Sequence, residues 1–270
     1  MFPKLISFGS FYLPTYGLFV AGGFLAGLWL VAKLADRKGL NAELVSNLAI
    51  YCALVGLAGA KAMMFALNFD YYAANPSQLF SFDTLLSAGV YHGGFLAAFA
   101  FAWLYIRKQG LPWLTTADVL APAVALGHSI GRLGCFAAGC CWGDRCDRPW
   151  AVTFTNPDAH AITGVPLNIP LHPTQIYEAA LTAMVAAFLW KRSLRAHPPG
   201  QILGLYLVLY STVRIVTEFY REHDQAPPFD GPLTWTQWIA AALLVAGAVL
   251  LVRCRAAAME TTSASRRVRS

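Results

Sequence analysis

Residues 13–33 read LPTYGLFVAGGFLAGLWLVAK, and their only charged residue is the last, Lys33. A helix that crosses the hydrocarbon core of a bilayer needs about 20 mostly apolar residues, so this stretch is long enough to span a membrane. Six further stretches of similar character follow it, at about 47–67, 89–106, 117–137, 174–190, 201–219 and 234–252. The sequence therefore predicts an all-α integral membrane protein with seven transmembrane helices.

The composition of the whole chain supports this fold class. Apolar residues make up 57% of the 270 residues and charged residues 13%, whereas charged residues make up about 25% of a typical globular domain. The 17 Phe, 11 Tyr and 8 Trp exclude a disordered or collagen-like chain. We predict one seven-span membrane domain at residues 1–253, and a basic, disordered cytoplasmic tail at 254–270.

The distribution of Lys and Arg predicts the orientation, because short cytoplasmic loops are enriched in these residues. Thirteen of the 20 basic residues follow the odd-numbered stretches: Lys33, Arg37, Lys38, Arg107, Lys108, Lys191, Arg192, Arg195, Arg253, Arg255, Arg266, Arg267 and Arg269. Four lie on the opposite side: Lys4, Arg145, Arg148 and Arg221. We therefore expect the N-terminus outside and the C-terminus in the cytoplasm. The long connection at about 138–173 then forms a small extracytoplasmic segment, with a β-like stretch at 150–154.

Polar side chains inside transmembrane stretches are costly and mark candidate functional sites. In the predicted orientation such groups from six stretches lie toward the outer leaflet: Tyr16, Lys61, His92, Arg132, His172, Gln175, Tyr177, Glu178, Arg214 and Glu218. An arginine binds two phosphate oxygens at once, and histidine is the side chain that changes charge near neutral pH. The set therefore suits an anionic lipid headgroup, with His92 as general base. Gly93 and Gly94 beside it permit close approach of backbone or lipid.

Members of this set also have structural explanations. Arg214 and Glu218 are four residues apart and can neutralise each other on one helix. Lys61 can extend toward the headgroups. His128, one turn before Arg132, is expected to be a hydrogen-bonded packing residue. Arg132 is the hardest to explain structurally, and the functional interpretation rests on the cluster rather than on any single member.

Four of the six cysteines fall within twelve residues, at Cys135, Cys140, Cys141 and Cys146. Their spacing, C-x4-C-C-x4-C, is not a familiar zinc pattern, and we expect no metal. A disulfide at an oxidising outer face and burial as small apolar side chains both remain open, with redox chemistry a third alternative.

Five sequence blocks resemble, in order, motifs of the bacterial prolipoprotein diacylglyceryl transferases. They are Thr15-Tyr16-Gly17, Tyr91-His92-Gly93-Gly94, Gly131-Arg132-Leu133-Gly134-Cys135-Phe136 continuing to Trp142-Gly143, His172-Pro173-Thr174-Gln175-Ile176-Tyr177-Glu178, and Arg214 through to Asp224. The resemblance covers about residues 13–253. It departs from the family pattern at Cys135 (Asn in the family), Cys140 (an acidic residue), Lys61 (Arg) and His223 (Pro).

The resemblance implies a seven-span enzyme of the bacterial cytoplasmic (inner) membrane with its site toward the outer leaflet. It would transfer diacylglyceryl from phosphatidylglycerol to the lipobox cysteine of a prolipoprotein, forming a thioether and releasing glycerol 1-phosphate. The implied catalytic residues are His92, Arg132, Arg214 and Tyr16. The implied substrate-binding residues are Arg132, Arg214, Gly93, Gly94, Gly134, Cys135, Gly143, Gln175, Tyr177, Glu178, Glu218 and Arg221. No cofactor and no nucleic-acid partner is expected.

Two other functions remain as alternatives. A paralogous lipid-headgroup transferase with another acceptor fits the substitutions at Cys135 and Cys140. An anion transporter would place polar groups through the full membrane depth and show a repeat relating two halves. In this sequence the polar groups crowd toward one leaflet and no repeat is visible, which favours the transferase.

Overall fold

The computed structural model describes residues 2–8, 11–81, 84, 89–222, 228 and 231–269. Helices predominate in these residues: α1 (Thr15–Arg37), α2 (Ala42–Leu67), α3 (Phe69–Ala74), α4 (Tyr91–Lys108), α5 (Trp113–Ala138), α6 (Pro157–Thr163), α7 (Thr174–Ser193), α8 (Gln201–Glu218) and α9 (Trp235–Arg269), with a short 3-10 helix at Pro76–Phe80. Two antiparallel pairs of short strands accompany them: β1 (Lys4–Phe8) with β2 (Phe11–Pro14), and β3 (Val152–Thr153) with β4 (Pro170–Leu171).

The long helices coincide with the seven predicted stretches, and four of them are long and apolar enough to cross a membrane. These four are Thr15–Arg37, Ala42–Leu67, Trp113–Ala138 and Trp235–Ala256. The helices α4, α7 and α8 are shorter, and α7 and α8 also carry more polar side chains. The prediction of a largely helical membrane protein is confirmed, whereas seven spans and their orientation stay predictions.

By its internal contacts the chain divides into two compact units. The first unit comprises Met1–Val31 and Ala117–Ser270, and the second comprises Ala32–Thr116. The first unit thus holds most of α1 and all of α6 to α9, and the second holds α2, α3 and α4. The division into a membrane domain at 1–253 and a separate tail stays a prediction.

Within the second unit, α2 and α4 pack closely through glycines. A Cβ atom built on Gly93 would lie 2.5 Å from the carbonyl oxygen of Gly59 and 2.4 Å from Cβ of Met63. One built on Gly94 would lie 2.8 Å from the carbonyl oxygen of Gly56. Small residues at such interfaces let two helix backbones approach. Gly93 and Gly94 therefore allow the backbone of α2 to approach α4.

In the first unit, the segment between α5 and α7 forms a small core of its own. Phe154, Ala159, Val165 and Leu171 are buried together there, beside the pair of strands β3 and β4. The β-like stretch expected at 150–154 is present as strand β3. These strands are two residues long, so alternation of polar and apolar residues, the usual strand signal, could not reveal their bounds.

Two further features of the first unit lie outside the sequence expectations. The N-terminal hairpin of β1 and β2 leads directly into α1, and Nζ of Lys4 lies 2.7 Å from Oδ1 of Asp158 at the start of α6. The last helix, α9, continues to Arg269, and the disorder expected of the basic tail stays a prediction.

A buried carboxylate fixes the start of α8. Asp118, on α5, accepts hydrogen bonds from the backbone N–H groups of Gly200 at 2.7 Å and Leu203 at 2.8 Å. The first N–H groups of a helix have no partner within the helix, and an anion there is stabilised by the helix dipole. Asp118 therefore anchors α8 to α5, two of the three helices that build the site described next.

Candidate active site

The centre of the candidate site is the carboxylate of Glu178, near the start of α7. Its side chain is only 2% exposed. Oε1 lies 2.8 Å from Nε2 of His128, and Oε2 lies 3.0 Å from Nε of Arg132 and 3.8 Å from Nη1 of Arg214. One carboxylate therefore meets nitrogen atoms from two other helices, α5 and α8. Because an isolated buried charge is very costly, these contacts are what make the burial of Glu178 tolerable.

His128 and Arg132 reach Glu178 from one face of α5, since residues four apart lie together on a helix. The contact between Nε2 of His128 and Oε1 requires that Nε2 carry the proton, because a carboxylate can only accept. The Nε atom of Arg132 is also 3.4 Å from Nε2 of His128, but a protonated nitrogen cannot accept a hydrogen bond. We therefore assign the Nε–H of Arg132 to Glu178. His128 is hydrogen-bonded as expected, and its partner makes it part of the charge cluster.

Arg214 is held by a second carboxylate on its own helix. Its Nη2 lies 2.7 Å from Oε2 of Glu218, the pairing that the spacing of four residues allows. Oε1 of Glu218 accepts a hydrogen bond from the hydroxyl of Thr234 at 3.0 Å. Nη1 of Arg214 is buried and makes no hydrogen bond within the described part of the chain. Buried polar groups nearly always have a partner, so this N–H group is a candidate donor to a ligand.

The turn that follows α5 is held in place by the first residues of α7. Nε2 of Gln175 donates to the carbonyl oxygen of Cys140 at 2.7 Å, and the hydroxyl of Thr174 donates to that of Cys141 at 2.9 Å. Gln175 and Thr174 are both buried. Gln175, which the resemblance implies in substrate binding, therefore contacts the protein's own backbone through its amide nitrogen.

Gly143 occupies a junction of three chain segments. Its N–H donates to the carbonyl oxygen of His172 at 3.0 Å, and its backbone pairs with that of Arg221. A Cβ atom there would lie 2.2 Å from the carbonyl oxygen of Tyr220. The close approach of two backbones explains why this position is a glycine. The structure thus gives Gly143 a packing role, and the backbone of Arg221 takes part in the same junction.

Three cysteine thiols converge beside this turn. The sulfur atoms of Cys135, Cys140 and Cys141 all lie within 4.8 Å of one another, and Nη1 of Arg132 lies 4.0 Å from the sulfur of Cys135. Hydrogen bonding with Cys135, and then with Cys140, lowers the pKa of the Cys141 thiol, and the charges of Arg132 and Arg221 act in the same direction against the effect of burial. Hydrogen bonding with Cys135 raises the pKa of the Cys140 thiol.

The remaining implied residues of the first unit lie around this cluster. Tyr16 is the second residue of α1, and a Cβ atom built on Gly134 would lie 3.3 Å from its ring and 2.9 Å from Cβ of Phe19. Gly134 therefore lets the start of α1 approach the end of α5. The hydroxyl of Tyr177 lies 3.1 Å from Nδ1 of His172. Tyr16 is 43% exposed, so its phenol is open to a ligand as well as packed.

His92 lies in the second unit, where it is the second residue of α4 and exposed. Gly93 and Gly94, which follow it, pack against α2 as described above. The roles implied for these three residues stay predictions. His223 and Asp224, at the end of the fifth sequence motif, lie outside the described residues.

Sequence reasoning placed Arg132, Glu178, Arg214 and Glu218 in one site, and the structure brings these four together. Sequence reasoning did not assign His128 to the site, although the sequence contained a signal for it. His128 precedes Arg132 by one turn and is a second polar group on the same face of a mostly apolar helix. Two polar groups at that spacing indicate a common partner on a facing helix.

The fold and the cluster together define a helical membrane protein with a buried, mutually paired set of charged groups in its first unit. Comparisons with known proteins give the family. The sequence model of the prolipoprotein diacylglyceryl transferases matches residues 3–253, and the chain belongs to this family of transferases.

Individual members of the family are similar over nearly the whole chain. The phosphatidylglycerol–prolipoprotein diacylglyceryl transferase of Vibrio vulnificus (strain CMCP6) is 34% identical over 255 residues, which cover 92% of this chain and 90% of that protein. The enzyme of the same name from Nitratidesulfovibrio vulgaris (strain DP4) is 34% identical over 256 residues, covering 92% and 93%. That of Clostridium tetani (strain Massachusetts / E88) is 33% identical over 221 residues, covering 82% and 86%.

Proposed function

We propose that this protein transfers the diacylglyceryl group of phosphatidylglycerol to the lipobox cysteine of prolipoproteins. The product is a thioether on that cysteine, glycerol 1-phosphate is released, and the step is the first in bacterial lipoprotein maturation. The names of the relatives supply the two substrates. The proposal includes the bacterial cytoplasmic membrane as location, seven spans, an outer N-terminus and a site toward the outer leaflet.

The observation that carries the proposal is the convergence of Arg132 and Arg214 on one oxygen of Glu178. Two guanidinium groups that meet at a point are suited to an anion with several oxygens, because each offers a fork of donors. Their side chains are 14% and 11% exposed, and ionic hydrogen bonds are stronger away from water. Nη1 of Arg214 still needs an acceptor. A lipid phosphate would supply it.

The transfer needs no covalent intermediate on the enzyme. The thiol sulfur of the prolipoprotein attacks the carbon of the diacylglyceryl group that is bonded to a phosphate oxygen. A carbon–sulfur bond forms as this carbon–oxygen bond breaks. The electron pair leaves on the phosphate oxygen, and the thiol proton ends on the released glycerol 1-phosphate. Atoms and charge therefore balance without a cofactor.

Each protein group has one part in this step. Arg132 and Arg214 stabilise the negative charge that grows on the departing phosphate, since donors positioned in advance cost no reorganisation. His92 accepts or steers the thiol proton, because the thiolate is the better nucleophile. Tyr16 orients the headgroup. Glu178, Glu218 and His128 act through the arginines as positioning residues.

The test uses purified protein, phosphatidylglycerol and a synthetic lipobox peptide, with mass spectrometry of the peptide. A diacylglyceryl thioether on the cysteine, together with released glycerol phosphate, is the expected result, and a peptide with Ala for Cys should stay unmodified. Arg132→Ala and Arg214→Ala should abolish transfer in folded protein. Arg148→Ala, at an exposed arginine of the segment after α5, is the matched control. Transfer that survives both cluster variants would remove the phosphate role of the arginines.

A different acceptor is the second candidate, and the substitution of Asn by Cys135 beside Arg132 favours it. The thiol is a much weaker hydrogen-bonding group than an amide. If folded protein binds phosphatidylglycerol and yet leaves the lipobox peptide unmodified, the lipid site stands and the acceptor differs. Incubation with membrane extracts and labelled phosphatidylglycerol would then identify which molecule takes the label.

A further inference from the structure

The arrangement of Cys135, Cys140 and Cys141 has the dimensions of a metal site. None of the three is in a disulfide, and their sulfur atoms all lie within 4.8 Å of one another. Thiolates bind a metal ion at about 2.3 Å. Three sulfurs placed evenly around one ion at that distance are about 4 Å apart, by the geometry of an equilateral triangle. The upper limit of 4.8 Å is therefore compatible with three sulfurs around one ion, whereas a disulfide requires sulfurs at about 2.05 Å.

The backbone around the thiols is held by the end of α5 and by the first residues of α7. The N–H groups of Gly139 and Cys140 both donate to the carbonyl oxygen of Cys135, at 3.0 and 3.1 Å, and turn the chain back over the end of α5. Cys141 has a φ of 60°, a left-handed conformation that is uncommon for a residue with a side chain and costs free energy. The buried side chains of Gln175 and Thr174 hold this conformation through the carbonyl groups of Cys140 and Cys141.

We propose that Cys135, Cys140 and Cys141 form a binding site for one soft metal ion, and that this ion is Cu(I). Thiolates select soft ions, and Cu(I) accepts three of them. Structural zinc sites instead use four protein ligands, and among the described residues the group contains three. Cys146, the next cysteine in the chain, is buried but does not belong to the group.

The charge around the site also suits a thiolate complex. Cu(I) with three thiolates carries two net negative charges, and each thiol proton displaced by the ion goes to solvent. The oxidation state of copper and of sulfur does not change. The guanidinium of Arg132, 4.0 Å from the sulfur of Cys135, supplies part of the compensating positive charge. The site depends only on these residues, and it stands whichever acceptor the transferase uses.

The experiment is an anaerobic titration of the purified, reduced full-length protein with Cu(I), buffered by a chromophoric Cu(I) chelator. We expect one ion per chain, and X-ray absorption should give three sulfur neighbours. Cys135→Asn, Cys140→Ser and Cys141→Ser should each weaken binding by more than the roughly 10–100-fold that changes in surrounding residues cost. Cys146→Ser is the matched control and should keep the affinity.

Cys135→Asn introduces the residue that the family resemblance places at this position, so this variant is expected to fold normally. Its thermal unfolding, compared with that of the unsubstituted chain, checks this. Three results would overturn the proposal: no bound copper in the reduced chain, equal loss of affinity in Cys146→Ser, or fewer than three sulfur neighbours. The last check is to count free thiols before reduction. If two of the three cysteines form a disulfide in air and the reduced protein has no affinity for copper, the cluster belongs to redox chemistry instead.

Discussion

Replacing Glu178 by Gln removes the charge at the centre of the cluster and nearly preserves the shape of the side chain. The carboxylate is 2% exposed and faces His128 at 2.8 Å, Arg132 at 3.0 Å and Arg214 at 3.8 Å. The glutamine amide can still accept one hydrogen bond, but the two arginines lose the negative charge that they share. Breaking a buried ion pair by removing one partner costs about 3–5 kcal/mol, because the other charge is left buried. We expect Glu178→Gln to destabilise the protein by about this amount.

Thermal unfolding in detergent with added phosphatidylglycerol measures the effect. For a chain of this size, 1 kcal/mol corresponds to about 2–4 °C, so the midpoint should fall by roughly 6–20 °C. Glu222→Gln is the matched control: Glu222 is exposed and accepts a hydrogen bond from the indole of Trp142 at 3.2 Å, which glutamine can also accept. The control should change stability by less than about 0.5 kcal/mol. Equal midpoints for the two variants would refute the central role of Glu178.

A double substitution separates the ion pair from the general effect of changing a buried residue. If Arg132 and Glu178 stabilise each other, Arg132→Gln with Glu178→Gln should destabilise less than the sum of the single changes, by about 0.5–3 kcal/mol. Simple addition of the two single effects would mean that the 3.0 Å contact contributes no coupling.

Three further predictions concern the interface of α2 and α4, the guanidinium of Arg214 and the thiol of Cys135. Gly93→Ala should destabilise the protein by about 1–3 kcal/mol, because the added carbon overlaps α2. Gly22→Ala is the control: a Cβ atom there meets nothing within 4 Å, and the change should stabilise α1 by up to about 1 kcal/mol. Thermal unfolding measures both variants, and equal shifts of the midpoint would contradict the packing explanation. Arg214→Lys should lower transfer by about 10²-fold or more, because the forked donors of the guanidinium are lost, while Arg253→Lys on the exposed side of α9 should leave it unchanged in the same peptide assay. Cys135→Asn should retain transfer, and a loss of activity would mean that the reaction uses this thiol.

The helices and the local pairings were predictable because their signals lie within short stretches of sequence. Apolar runs of about 20 residues located the long helices, and the spacing of Arg214 and Glu218 gave their pairing. For Arg132 and Glu178 the sequence predicted only that both belong to one site, and not that they are in contact. Which atoms meet depends on how α5 and α7 pack, and there Ala121 and Ala125 of α5 share one buried cluster with Val185, Ala186 and Leu189 of α7. The same limit applies to the three thiols, since their convergence depends on the turn after α5 and on Gln175.

The polar residues of the candidate site weaken the apolar signal of two of its helices, α7 and α8, whereas α5 carries Arg132 and is still one of the four candidate spans. Of the three long helices that fall short of the membrane criterion, α7 and α8 carry Glu178, Arg214 and Glu218, and α4 carries His92. Polar groups that pair inside a bundle cost little there, yet each one lowers the apolar character by which a span is recognised. With the seven spans of the proposed function, hydropathy underestimates the helices that carry part of the proposed site. A stretch that is slightly too polar, but matches the others in length and carries charges at spacings of four residues, is better interpreted as a site-bearing helix than as a soluble one.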